Sequence, residues 1–274
     1  MDAVEVAYAV EERRVWLQHE LEVAAERFQV ALVGPAVNTY DLRSAGAEVA
    51  DGGSAAWLRI VLEDVEYQPA CRWDDWHDTG PAGRRWRLRG ELMTLAPGRT
   101  LAPDSVLHGD PELSDRWWAE LDEALRALAA QPAPQGDTVG IVNYTIQGAR
   151  AHFDNDLDPA VTTAIEWTTA HADLHWGNLR EPRLHILDWE SWRRAPAGYD
   201  VATLYCNSLT HRPTAQRLRD TFPAVFTTPS GQFSLLSAVC RYLWVVGDGS
   251  EYDSLAGPLH ALGAETLRAL RSHN

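Results

Sequence analysis

Apolar residues at three-to-four spacing among helix formers run through residues 3–28 and predict one long helix. The period then changes. Residues 29–33 lead into Gly34-Pro35, residues 38–42 mix polar and apolar types, and residues 56–62 (AWLRIVL) are strand text after the turn Asp51-Gly52-Gly53-Ser54. Residues 74–83 read as a loop, and residues 84–95 alternate as a further strand until Pro97-Gly98 breaks the pattern. Beyond Pro103 the text turns helical. Residues 112–130 follow Asp110-Pro111, residues 131–136 are a loop, and residues 202–209, 214–222, 235–246 and 255–270 predict further helices. A strand-rich first third and a helical remainder predict an α+β chain in two lobes: residues 1–96, a helix plus a small antiparallel sheet, and residues 97–274, larger and helical.

Composition narrows the chemistry. The 24 basic residues among 274 are all arginine. Without lysine there is no Walker-type phosphate loop and no Schiff-base chemistry, so any phosphate must be met by arginine. The three cysteines, Cys71, Cys206 and Cys240, are far apart and form no C-x-x-C pair, which fits reduced packing residues in a cytoplasmic protein. No segment approaches the ~20 apolar residues of a bilayer span, and the amino-terminal text has acids where a secretory signal has bases. A net charge of −15 argues against nucleic acid as a partner and is compatible with a cationic small substrate, although solubility alone also explains it.

One block carries chemistry: His171-Ala-Asp-Leu-His-Trp-Gly-Asn178, then Leu184-His-Ile-Leu-Asp188-Trp-Glu190, then Ala197-Gly-Tyr-Asp200. Phosphoryl transfer from a nucleotide requires a carboxylate that accepts a hydroxyl proton and oxygen ligands that hold magnesium against the phosphates. Asp173 and Asn178 stand five residues apart, a spacing that spans a tight loop from base to amide ligand, and Asp188 follows apolar strand text. His171 and His175 bracket Asp173 as H-x-D-x-H, which a zinc or dinuclear hydrolase would also use; Asn178 and Asp188 favour hard oxygen ligation instead. Glu190 is a water-mediated metal neighbour or a partner of Arg193 or Arg194.

The block resembles the H-x-D-x-x-x-x-N catalytic loop and D-W-E metal motif of the aminoglycoside phosphotransferase family, the branch of the protein-kinase-like fold that includes choline and homoserine kinases. The resemblance implies a bilobal fold with a nucleotide-binding first lobe, Asp173 as catalytic base, Asn178 and Asp188 as Mg²⁺ ligands, His171 shaping the loop, and Asp200 bracing it from beneath. Residues 34–40 (GPAVNTY), with Gly34 and Asn38, resemble the family's degenerate phosphate loop, and residues 91–98 (ELMTLAPG), with Met93, its nucleobase hinge. About residues 30–210 can be laid on the pattern. Arg59 falls where the family's phosphate-contacting lysine stands, and alternation puts it on the face of Trp57 and Val61. The helix that should then present a glutamate is interrupted at Pro69, leaving Glu63 and Glu66 as weak candidates.

What the family implies is an ATP- or GTP-dependent kinase acting on a hydroxyl of an aminoglycoside-like compound, sugar, amino alcohol or natural product. A peptide Ser/Thr kinase and a catalytically silent binding module are the alternatives, the latter motivated by the missing lysine, Pro35 and the unassigned glutamate. Among the 12 tryptophans, Trp176, Trp189, Trp192 and Trp244, with Tyr242, are candidate walls of an aromatic cage for a cation, against the plainer reading that tryptophan packs cores.

Overall fold

The computed structural model describes residues 3–39, 42–63, 72–132, 138–247 and 249–272. The chain divides into two compact units, Met1–Ala96 and Pro97–Asn274.

In the first unit α1 (Ala3–Phe28) is followed by β1 (Ala31–Leu32), β2 (Val37–Asn38), β3 (Ser44–Asp51), β4 (Ser54–Glu63), β5 (Arg72–Thr79) and β6 (Arg85–Thr94). These strands form one antiparallel sheet in the order β1-β3-β4-β6-β5, with β2 also on β3. Alternation sorts β4 cleanly. Ala56, Leu58, Ile60 and Leu62 are buried in one cluster with Leu17, Leu21, Ala24 and Phe28 of α1, which leaves Trp57, Arg59 and Val61 on the other face. Within the buried layer the Trp76 indole donates to Glu20 (2.8 Å), whose carboxyl burial pushes above its ordinary value.

The acidic text at 74–83 is not a loop throughout, because β5 runs to Thr79 as the edge strand on β6. Its inward side places Trp76 in the core, and its outward side pairs Asp75 with Arg87 across the ladder (2.9 Å). Charges on an exposed edge discourage further strand addition, so they mark this strand where sequence reading took them for a turn. Tyr40, Glu66, Pro69 and Cys71 lie outside the described residues, so the expected glutamate-bearing helix does too.

The second unit contains β7 (Arg99–Thr100), α2 (Asp115–Ala129), α3 (Thr138–Phe153), β8 (Trp167–Ala170), β9 (Leu179–Glu181), β10 (His185–Ile186), β11 (Arg193–Pro196), α4 (Tyr199–Cys206), α5 (Arg212–Thr221), α6 (Pro223–Thr227), α7 (Pro229–Leu243) and α8 (Ala256–Ser272). Strands β10-β9-β7 form a small sheet, and β8 pairs with β11 as an antiparallel ribbon. Helix α2 starts later than its text suggests, because the Ser114 hydroxyl accepts from the Trp117 amide (3.2 Å) and sets the cap there. Helix α3 was not expected at all, since Thr138, Val139, Gly140, Ile141 and Val142 are poor helix formers. Packing overrides them: α3 lies on α7, and a Cβ at Gly148 would come within 2.5 Å of the Cys240 Cβ. The unit's main core joins Trp117, Trp118 and Trp176 with Leu204, Leu235 and Val239. Among the described residues no helix is long and apolar enough to cross a membrane.

Candidate active site

The chain between β8 and β9 is held by bonds from every side. The Asp200 carboxylate, at the start of α4, accepts the backbone amides of His171 and Ala172, both at 2.8 Å. That grip fixes Ala172 in the left-handed region (φ 65°), a conformation an alanine does not choose unaided. Thr203, one turn into α4, donates to the Leu174 carbonyl (2.7 Å). Burial pushes the Asp200 carboxyl above its ordinary value, against the two amide donors that favour its charge.

His171 is fully buried. Its Nδ1 accepts from the Asp173 amide (3.3 Å), so its Nε2 carries the proton and donates to the Leu187 carbonyl (2.8 Å). Both ring nitrogens are thereby used inside the protein, and His171 positions the loop against the segment leading to Asp188 without acting as a metal ligand or a base. Asp188 itself adopts φ 61°, ψ 64°, a second left-handed residue. Asn178 completes the link, donating from Nδ2 to the Asp173 carbonyl (3.1 Å) while its own carbonyl accepts from the Leu187 amide (2.9 Å). With the amide nitrogen so committed, the Asn178 carboxamide oxygen is the atom left to meet a cation.

The structure thus gathers His171, Asp173, Asn178 and Asp200 into one bonded network and sets Asp188 next to it through Leu187. An amide oxygen and a carboxylate are hard donors. They suit Mg²⁺, which takes one or two protein oxygens and completes its shell from substrate phosphates and water. Among the described residues no three His, Cys, Asp or Glu side chains converge as a metal cage. His175 is held below its ordinary 6.5 by burial, with the nearby acids opposing the shift, and so is neutral near pH 7.

Sequence reading missed Arg241. From the last turn of α7 its Nη1 donates to the Ala172 carbonyl (2.9 Å) and its Nη2 pairs with Asp173 Oδ1. The partner stands 68 residues from Asp173 in sequence, and only the fold joins them. Beneath the loop, Gly177 leaves room for residue 104, since a Cβ there would lie 2.7 Å from the Asp104 carbonyl oxygen. The next residue, Ser105, is anchored by Glu251 through its amide (2.9 Å) and hydroxyl (3.1 Å). A cavity of about 750 Å³ opens beside Ala172 and Arg241, with Tyr144, Glu190, Trp192 and Tyr199 among its walls. Of the residues considered for a cage, Trp176 is wholly buried against Trp117 and Trp118, and Tyr242 is buried as well, whereas Trp192 keeps 42% of its surface exposed.

In the first unit Arg59 stands opposite Glu91 in the β4–β6 ladder and donates to the Ser44 hydroxyl (3.4 Å). Glu91 forms a buried ion pair with Arg89 (2.8 Å), so Ser44, Arg59, Arg89 and Glu91 make a polar cluster on the sheet face away from α1. Glu91 is thus an acid on the strand next to that of Arg59. Met93 lies opposite Trp57 on that face. Asn38 pairs through β2 with Ala45, and Gly34 follows β1 with its amide directed at the Glu48 carbonyl (3.4 Å). A Cβ at Gly34 would meet only the Glu48 Cβ at 3.7 Å, so local packing does not demand glycine there.

Comparison with solved structures places this architecture. The aminoglycoside phosphotransferase APH(4)-Ia aligns over 96% of this chain and 99% of its own, at 15% identity and a TM-score of 0.58. A thermostable mutant of that enzyme, in a ternary complex with AMP-PNP and hygromycin B, aligns over 90% and 97%, at 14% identity and a TM-score of 0.59. The chain has the protein-kinase-like fold. An amicoumacin kinase in complex with AMP-PNP, Ca²⁺ and its ligand shares that fold over 97% of this chain and 96% of its own, at 13% identity and a TM-score of 0.50. No protein-family model matches the sequence, and no curated protein does. At such low identities the likeness is one of fold and not of overall sequence.

Proposed function

We propose that the protein is an Mg²⁺-dependent phosphotransferase that moves the γ-phosphoryl group of ATP or GTP to a hydroxyl of a small molecule. The observation that carries this reading is the Asp173 carboxylate, partly exposed, in a loop braced by Asp200, and held by Arg241, which with Ala172 lines a cavity of about 750 Å³. That volume suits a small acceptor better than an extended peptide. Asp173 accepts the acceptor's hydroxyl proton as the new O–P bond forms and the bond from the γ-phosphorus to the β–γ bridging oxygen breaks, releasing the nucleoside diphosphate. Mg²⁺ at Asn178 and Asp188 would neutralise charge on the phosphates when bound. Arg59, with Glu91 opposite it in the sheet, would supply the cation that lysine gives elsewhere, and Gly34 and Asn38 would meet the phosphates and Met93 the nucleobase. The two described cysteines are buried free thiols, in keeping with a cytoplasmic enzyme.

The test is phosphate transfer from ATP and from GTP across a panel of hydroxyl acceptors, for the native protein and Asp173→Asn. The variant should lose about 10²–10⁴-fold in turnover while keeping nucleotide-induced stabilisation. Equal turnover by the two would remove Asp173 as the base. Absence of any thermal stabilisation by millimolar Mg-nucleotide would favour a silent module.

A further inference from the structure

The cavity beside Asp173 has a chemistry at odds with the charge of the chain as a whole. Its lining includes the apolar and aromatic side chains of Ile141 and Tyr144 from α3 and of Trp192 and Tyr199. Tyr144 and Trp192 keep 41% and 42% of their surfaces exposed, which is aromatic area available for a ligand to cover. The small hydroxyls at its edge are engaged internally: Thr145 and Ser237 bond to one another (2.8 Å) and to the Ile141 and Phe233 carbonyls.

Two guanidinium groups, Arg193 and Arg241, and one carboxylate, Glu190, line the cavity, and the Asp173 carboxylate stands next to it. Arg241 is matched by Asp173. Arg193 donates its Nε to the Ser191 carbonyl (3.1 Å) and makes no ion pair among the described residues, so its terminal nitrogens form a fork suited to a carboxylate. A compound with several ammonium groups would bring like charge to both arginines, and of the two acids there, Glu190 and Asp173, the second is already held by Arg241. The chain's net charge of −15 attracts cations to its surface at large, but recognition is decided by the few groups that touch the ligand.

We infer that the acceptor is a hydroxyl compound with a flat aromatic body and one carboxylate, the carboxylate held by Arg193, and that polyammonium sugars are poor ligands. This rests on the phosphotransferase reading only in naming the ligand an acceptor.

Three probes test it on the full chain: 3-phenyllactate, which has a hydroxyl, an aryl ring and a carboxylate; its uncharged methyl ester; and hygromycin B, an aminocyclitol polycation. Binding is read by tryptophan fluorescence and thermal shift, and transfer from ATP is measured on the same three. Phenyllactate should bind roughly tenfold tighter than its ester, with hygromycin B weakest. Arg193→Met should bring the acid and ester to equal affinity with the melting temperature unchanged. Tighter binding of hygromycin B, no binding of phenyllactate at millimolar concentration, or an acid preference that survives Arg193→Met would each overturn the inference. Transfer to hygromycin B alone would strike the acceptor class and leave the phosphotransferase standing. The expected binding order without transfer to any probe would do the reverse.

Discussion

Exchanging Asp200 for alanine strips the acceptors from two buried backbone amides, those of His171 and Ala172. Each buried donor left without a partner costs about 1–3 kcal/mol, so the pair should cost roughly 2–6 kcal/mol. Domains of this kind are stable by only about 5–15 kcal/mol, so a substantial share of the total is at stake. The left-handed Ala172, which stores about 1–2 kcal/mol of strain, would lose the bond that holds it and relax, carrying Asp173 with it. Asparagine is the informative companion. Its carboxamide keeps one acceptor but turns an NH₂ toward the second amide, donor against donor, so Asp200→Asn should be nearly as unstable as Asp200→Ala. Urea unfolding followed by tryptophan fluorescence gives the free energies, and phosphoryl transfer measured well below the transition reports the loop. A loss under about 1 kcal/mol, or an asparagine variant as stable as the native protein, would refute the two-bond brace.

Burial against Trp244 and His260 lowers the pKa of His152 below its ordinary 6.5. The unfolded chain then takes up a proton at this site before the folded one does. Stability from this residue is complete above about pH 6.5 and is lost as the pH falls toward the folded value. His152→Phe keeps a ring against Trp244 and should flatten the dependence of melting temperature on pH between about 5 and 7. The Cys240 thiol is pushed up to about 12 by burial, and Cys206 higher still. In a Cys71→Ser background neither should react with a thiol reagent at neutral pH until urea unfolds the chain, which a colorimetric thiol assay will show.

The part of the candidate site most legible in the sequence is the part whose residues lie close along the chain. His171, Asp173 and Asn178 fall within eight residues, and their order alone suggests a loop that the structure shows tied to Leu187 and Asp200. Arg241 was invisible because an arginine in the last turn of a helix usually serves the helix terminus, and nothing local distinguishes one that reaches Asp173. Glu91 stands opposite Arg59 on the adjacent strand, a placement that depends on register and that local text does not show. Strand β5 was read as loop because its acids outweighed the alternation that puts Trp76 inward, and α3 was overlooked because its stability comes from packing on α7.

The bonds that grip the loop from outside span 29, 28, 16 and 68 residues, to Asp200, Leu187 and Arg241. Closing such long loops costs entropy before any contact rewards it, so distant elements must dock before residues 171–173 take their shape. Helical signal can therefore return during refolding while the loop is still unformed. Recovery of the Asp173 geometry should therefore come late, and in a time course it would report the completed assembly of the second unit better than any measure of secondary structure.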